Sequence, residues 1–221
     1  MSLDRVFAFG DSFTYGHELS DCPTNDWPTP SNLSYGALVA DAVSAEYHCH
    51  AMGSYANNAI SRRIQEALPT LTQRDMVLVM WTFTTRRELL LQEAGYRSLV
   101  PNGSTPLEKE YFRYIDSNPT YHITESLKEI YVAQQLLTAS SIPYIFMSSA
   151  TDLAQAVQQQ TTTWSTYIDT DAWVFLEHGC GFQDWARMTL GLSFMRNQHP
   201  PDPAHQELSK RILLKYYSST T

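Results

Sequence analysis

Val6-Phe7-Ala8-Phe9-Gly10-Asp11-Ser12-Phe13-Thr14-Tyr15-Gly16 decides how this 221-residue chain is read. Four apolar residues stop abruptly at Gly10, the pattern of a short strand buried on both faces and ended by a turn. Residues 4–9 are therefore predicted as a first β-strand, with Ser12 at its mouth. Short, continuously apolar strands belong to parallel sheets covered by helices on both sides. Working outward, 47–52 reads as a second strand, 76–80 as the clearest third, 144–147 as a fourth and 172–176 as a fifth. Helical periodicity fills the gaps. Residues 34–45 repeat Leu38, Val39, Ala42 and Val43, and 57–68 puts Ile60, Ile64 and Leu68 on one face with Pro69 beyond its end. Residues 123–139 are amphipathic. A last helix opens at Pro203, with Asp202 just before it, and runs through Leu208 and Ile212 toward Tyr216. Strand and helix alternate, so the expectation is an α/β chain forming one domain over 1–221, with a parallel sheet between helical layers. The stretches 20–32, 84–118 and 177–198 read as a loop, an irregular excursion and a Gly- and aromatic-rich connection.

In such sheets, sites form where loops leave the carboxyl ends of the strands. Ser12 follows the first strand, Gly53 the second and Trp81-Thr82 the third, so these loops are expected to gather on one rim. Fifteen Lys and Arg against 23 Asp and Glu give a net charge of -8, which argues against a nucleic-acid or anionic-membrane partner. Cys22, Cys49 and Cys180 are widely separated and form no CxxC, so neither a zinc ribbon nor a thioredoxin-type site is expected. No basic-then-apolar leader and no run of membrane-spanning length is visible, and a cytoplasmic location follows as an expectation.

Near the far end stands His199-Pro200-Pro201-Asp202-Pro203-Ala204-His205. A serine hydroxyl needs a base within hydrogen-bond reach and a third group to orient that base. His205 can take the Ser12 proton, and Asp202, three residues earlier, can fold back onto the other imidazole nitrogen. The N–H groups of Ser12 and Gly53 are candidate donors to a developing oxyanion. Plainer roles stand beside these. Asp202 also suits a helix cap, Asp11 suits structural bonds beneath the turn, His199 a loop position near the site rather than a second base, and Arg86 and Glu88 a structural pair, with substrate binding as the alternative. Most aromatic residues suit the core, with Phe182 and Trp185 expected to line the cleft.

Gly10-Asp11-Ser12 followed by Gly16, Gly53 and Asp202-x-x-His205 resembles the SGNH (GDSL-type) hydrolase family. Matching blocks at 6–16, 52–60, 76–88 and 199–212 frame the whole chain. The resemblance implies a flavodoxin-like three-layer α/β/α sandwich, here with a five-stranded parallel sheet. It implies a serine esterase, thioesterase or deacetylase that uses no metal or cofactor, with Ser12 as nucleophile, His205 as base, Asp202 as its orienter and Gly53 as an oxyanion donor. One block departs from the pattern. The family places Gly-x-Asn-Asp after the third strand, and this chain has Trp81-Thr82-Phe83-Thr84-Thr85-Arg86-Arg87-Glu88. Asn57 is the favoured substitute for the missing donor, with Asn58, Thr82 and Thr84 as alternatives, and Thr82 is also expected to touch substrate. The expected activity is hydrolysis of small acyl esters, O-acetyl groups on a carbohydrate foremost. The alternatives are a thioesterase or lysophospholipase-type enzyme, and a glycan-binding or structural module with weakened activity. The expected partner is a small-molecule or glycan ester.

Overall fold

The computed structural model describes residues 3–24, 27–92, 95–115, 118–194 and 197–219. The portions of the predicted loop 20–32, excursion 84–118 and connection 177–198 that fall on 25–26, 93–94, 116–117 and 195–196 lie outside the described residues. In chain order the strands and helices are β1 (Arg5–Phe9), α1 (Ser12–Tyr15), α2 (Tyr35–Ala42), β2 (Glu46–Cys49), α3 (Asn57–Ala67), β3 (Asp75–Trp81), β4 (Arg87–Leu91), β5 (Gly95–Leu99), α4 (Pro106–Ile115), α5 (Pro119–Ala139), β6 (Tyr144–Ser148), α6 (Thr151–Gln158), α7 (Phe182–Met188) and α8 (Asp202–Ser219).

The main sheet runs β2-β1-β3-β6 with every pairing parallel. Alternation along each strand sends side chains to two separate cores. Val6, Met76, Leu78, Met80 and Ile145 face α2, α7 and α8, meeting Val39, Trp185, Leu208 and Ile212. Phe7, Phe9, Val77, Val79 and Trp81 face α3, α5 and α6, meeting Ile60, Ile64, Leu127, Ile130 and Leu153. All of β3 is buried, which explains its uninterrupted apolar run. Fully burying each such side chain contributes about 1.5–3 kcal/mol. The result is the three-layer α/β/α arrangement of the flavodoxin-like class.

At the opposite end from the site, Arg5 and Asp75 face each other across the β1–β3 register. The guanidinium donates from Nε to Oδ1 at 2.8 Å and from Nη2 to Oδ2 at 2.6 Å. This fork pins the two strands in alignment, so the loops after Phe9 and Trp81 leave the same rim.

Two differences from the sequence expectation have physical causes. The fifth strand shrinks to one parallel bridge, Phe146 with Trp173, in which the Val174 N–H donates to the Phe146 carbonyl at 2.9 Å. The 3-10 turns Thr170–Ala172 and Glu177–Gly179 close in on either side and leave too little extended chain for a ladder. The excursion 84–118 contains the antiparallel pair β4–β5 and the helix α4. The charged pair Arg87-Glu88 hid the strand. Both residues are buried, and Glu88 takes a two-pronged ion pair from Arg62 of α3, Nε to Oε2 and Nη2 to Oε1, each 2.8 Å. Among the described residues no helix is long and apolar enough to cross a membrane.

Candidate active site

The turn after β1 is built to present Ser12. Asp11 caps α1, its Oδ1 accepting the Phe13 N–H at 3.0 Å. Gly16 ends this short helix at φ 85°, and a Cβ there would stand 2.5 Å from the Ser31 Cβ, so a side chain is excluded by both conformation and space. Ser12 occupies the first helical position, where its N–H has no partner within the helix. Its hydroxyl makes no hydrogen bond among the described residues. It faces a cavity of about 590 Å³ that also receives Gly53, Ser54, Arg86 and His199. Tyr15, Trp27 and Met52 form apolar parts of the wall, with Trp27 and Met52 exposed at the rim.

His199 and Glu18 form a buried pair in this wall. The imidazole Nδ1 lies 2.8 Å from the Glu18 Oε2. A carboxylate only accepts, so Nδ1 carries the proton and Nε2 is left as the acceptor of the neutral ring. Asn197 grips the same carboxylate with its backbone N–H, at 3.0 Å from Oε2, and with its side-chain Nδ2, at 2.8 Å from Oε1. Burial pushes the Glu18 carboxyl up, but the His199 and Asn197 bonds outweigh it, and Glu18 stays below its usual range. A second imidazole, His17, sits edge-on to His199 at 6.0 Å and is held neutral by burial and by that neighbour. Glu18, Ser54 and Gln198 all adopt left-handed backbone, at φ 66°, 65° and 67°. Such conformations cost non-glycine residues about 1 kcal/mol or more each and cluster where a site over-determines them.

Asp202 and His205 occupy different surroundings. His205 is 1% exposed and lies in the core between Tyr35, stacked at 6.0 Å, and Phe182, edge-on at 5.1 Å. Its Nδ1 accepts the backbone N–H of Tyr35 at 3.2 Å, capping the start of α2. Desolvation, against the opposing pull of Asp202, pushes the ring down to about 3, so it is neutral. Asp202 turns the other way and accepts the Ser20 N–H at 3.1 Å and the Ser20 hydroxyl at 2.6 Å. No hydrogen bond or ion pair joins Asp202 to His205 among the described residues. The bonds to Ser20 hold the Asp202 carboxylate outside and the packing against Tyr35 and Phe182 holds the His205 ring in the core, and neither residue lines the Ser12 cavity.

Three solved structures set this geometry in context. A member of the lipolytic protein G-D-S-L family from Veillonella parvula matches with TM-score 0.50 and 11% identity over 95% of this chain and 96% of that one. The psychrotrophic esterase EstA from Pseudoalteromonas sp. matches with TM-score 0.54 and 10% identity over 98% of each chain. A carbohydrate esterase family 2 enzyme plus carbohydrate-binding domain from Corynascus thermopiles (Myceliophthora fergusii) matches with TM-score 0.58 and 12% identity over 95% of this chain and 64% of that one. The fold is that of the GDSL-type hydrolases. Neither the protein-family models nor the curated proteins give a match to this sequence.

Within that fold the Asn and Thr candidates for the missing donor are engaged in bonds that hold the rim together. Asn57, the favoured extra donor, is 1% exposed and points away from the cavity into the sheet edge. Its Oδ1 accepts the Thr82 N–H at 2.7 Å, and its Nδ2 donates to the Thr82 carbonyl at 3.2 Å and the Ser126 hydroxyl at 2.9 Å. Both amide hydrogens are spent. Asn58 pairs with the backbone of Glu88 through its oxygen and one amide hydrogen and does not line the cavity, and the Thr84 hydroxyl donates to Asp152. Thr82, expected at the substrate, is fully buried and donates its hydroxyl to the Asp11 Oδ2 at 2.7 Å. Phe182 and Trp185 are also fully buried, in the core with α2 and α8, so they line no cleft. Gly53 does line the cavity. Its N–H has no partner among the described residues, and a Cβ there would come within 3.1 Å of the His17 Cε1.

Tyr15, His17, Trp27, Met52, Ser54, Arg86 and Asn197 line the cavity and Glu18 stands behind His199; of these the sequence reading weighed only Arg86, as a structural residue or a substrate contact. Arg86 pairs with Asp11, not with Glu88. No spacing rule links Glu18 to His199, since only the folded chain makes them neighbours. Among the described residues no group of three or more His, Cys, Asp or Glu is placed to hold a metal ion.

Proposed function

We propose that this chain hydrolyses carboxylic esters through an acyl-Ser12 intermediate, with His199 as general base and Glu18 as the carboxylate that orients it. The observation that carries this reading is the His199–Glu18 bond of 2.8 Å in the wall of the cavity that Ser12 enters. With its Nδ1 proton held by Glu18, His199 offers Nε2 to the serine proton. The Ser12 Oγ bonds to the ester carbonyl carbon, and the carbonyl electron pair moves onto oxygen. The N–H groups of Ser12 and Gly53 receive that charge. As the intermediate collapses, the carbon–alkoxide bond breaks and the alcohol leaves with the proton from His199. Water then attacks the acyl-serine, giving a proton to His199, and His199 returns it to the Ser12 Oγ as the acyl–oxygen bond breaks and the acid leaves.

The substrate reading is a small acyl group on a carbohydrate, acetyl foremost. The cavity is of modest size, mixes polar and apolar wall, and carries one exposed indole, Trp27, at its rim, a surface suited to the apolar face of a sugar ring. The fold neighbour described as a carbohydrate esterase fits the same reading.

Turnover of p-nitrophenyl acetate and stoichiometric labelling by a serine-directed phosphonate test the chemistry. One comparison structure is described as the esterase EstA inhibited by monoethylphosphonate. The wild-type chain is expected to show both signals, and Ser12→Ala and His199→Asn neither. Glycan binding without turnover or labelling in the wild type would instead mark a non-hydrolytic module. Acetylated xylo-oligosaccharides set against acyl thioesters and lysophospholipids then resolve the substrate.

A further inference from the structure

We infer that Arg86 supplies the third oxyanion donor, in place of the asparagine that the third block lacks. The inference rests on the hydrolase reading above and deepens it. The side chains of Asn57, Asn58, Thr82 and Thr84 are engaged in structural bonds, and none of them lines the Ser12 cavity. Arg86 is the side chain of the third block that enters the Ser12 cavity.

The tether of Arg86 fixes it close to the nucleophile. Its Nη1 donates to the Asp11 Oδ2 at 2.7 Å and to the Thr82 hydroxyl at 2.8 Å, and lies 3.5 Å from the Tyr55 carbonyl. Asp11 is the residue directly before Ser12 and caps the helix that Ser12 begins. The Arg86 guanidinium also lies 4.9 Å from the centre of the Phe83 ring. One nitrogen is thus clamped and the plane is braced. For Nη2 and Nε the structure gives no hydrogen-bond partner among the described residues, and neither atom is buried without one. Donors held in place before the reaction need no reorganisation when charge develops, the condition under which oxyanion stabilisation is strongest.

Arg86 gives up no proton in this role. When the Ser12 oxygen bonds to the carbonyl carbon, the carbonyl electron pair becomes the oxyanion, and a guanidinium N–H joins the N–H groups of Ser12 and Gly53 around it. Asp11 pairs with the cation in the resting site. Its second job is to aim the arginine.

The test uses the full chain and a trifluoromethyl ketone, which adds to an activated serine as a hemiketal oxyanion. In Arg86→Met, kcat for the neutral ester p-nitrophenyl acetate is expected to fall about 10²–10³-fold with KM nearly unchanged. A 13C titration of the hemiketal should show its oxyanion pKa raised by about one unit or more, because a nearby cation has gone. Arg86→Lys should recover part of both effects, and it carries the test if the methionine variant does not fold. An unchanged kcat, or an unchanged hemiketal pKa despite a lower kcat, overturns the inference. The second result would leave Arg86 as a brace for Asp11 only. A loss confined to KM for anionic esters would make it a substrate anchor and also overturn it. Absence of any adduct in the wild type would instead strike the hydrolase reading itself.

Discussion

Two imidazoles sit on one short segment, and their partners separate them. His199 meets a carboxylate at the cavity wall, whereas His205 meets a helix N–H and two aromatic rings in the core. In the proposed mechanism the first arrangement holds a base ready for a proton, whereas the second satisfies a buried polar group at the start of α2. Substitutions separate the two roles. Glu18→Gln removes the charge that stabilises the imidazolium and frees the ring to take the wrong tautomer, so kcat for p-nitrophenyl acetate is expected to fall about 10²–10⁴-fold. His205→Gln and Asp202→Asn should leave kcat within about threefold. The His205 variant should instead lose about 2 kcal/mol of stability in denaturant, through lost packing and an unpaired Tyr35 N–H. The reverse pattern, with His205→Gln inactive and Glu18→Gln active, would move the base back to His205.

The start of α3 works as an extension of two strands. Asn57 bonds both backbone groups of Thr82 at the end of β3, and Asn58 does the same for Glu88 in β4. An amide side chain offers a donor and an acceptor side by side, so it can pair with a backbone as a neighbouring strand would. This pairing holds the β3 rim where Thr82 and Arg86 can reach Asp11. Asn57→Ala leaves the buried Thr82 N–H without its acceptor and is expected to cost about 2 kcal/mol. Its effect on kcat should be small once the folded fraction is accounted for, and thermal melts alongside steady-state assays would show this. A loss of 10²-fold at full folding would restore Asn57 to the oxyanion site. The truncated fifth strand shows the opposite case. Its apolar residues, Trp173, Val174 and Leu176, are buried as expected, but tight turns on both sides leave room for only one bridge. Burial was legible in the composition of the segment, and ladder length was not, because it depends on where the flanking turns close.

The buried His205, packed in the core beneath α2 and α8, makes the stability of the whole fold depend on pH. Unfolded, its imidazole takes up a proton near pH 6.5, whereas folded it does so only near 3. Below pH 6.5 the unfolded state therefore binds the extra proton and stability falls with pH, while above it this group contributes no slope. From pH 7 to pH 5 the loss is about 2 kcal/mol. Urea titrations at the two values should show this drop in the wild type and a flatter response in His205→Gln. Equal slopes would mean that the ring is solvated in the folded state. Glu18 acts further down. Its carboxyl lies below the usual range, so the stability it adds is complete at neutral pH and is lost only as pH falls through its folded value.

Apolar runs and their periodicity carried the layer order, the parallel strands and the rim on which Ser12 and Gly53 meet. Those features depend on local patterns and on the right-handed, short-connection rules that follow from them. The partner of each histidine did not follow from any pattern. A spacing of three residues made Asp202 and His205 look paired, but Ser20 draws the carboxylate away and Tyr35 and Phe182 hold the imidazole in the core. The carboxylate that meets His199 comes from the opposite end of the chain, on a left-handed residue that only the assembled fold holds in place. Arg86 reached the cavity for the same kind of reason, because its bond to Asp11 spans two strands and leaves no mark in sequence separation. Local periodicity is written along the chain, whereas acid–base pairing depends on distances that exist only after the sheet has brought its loops together.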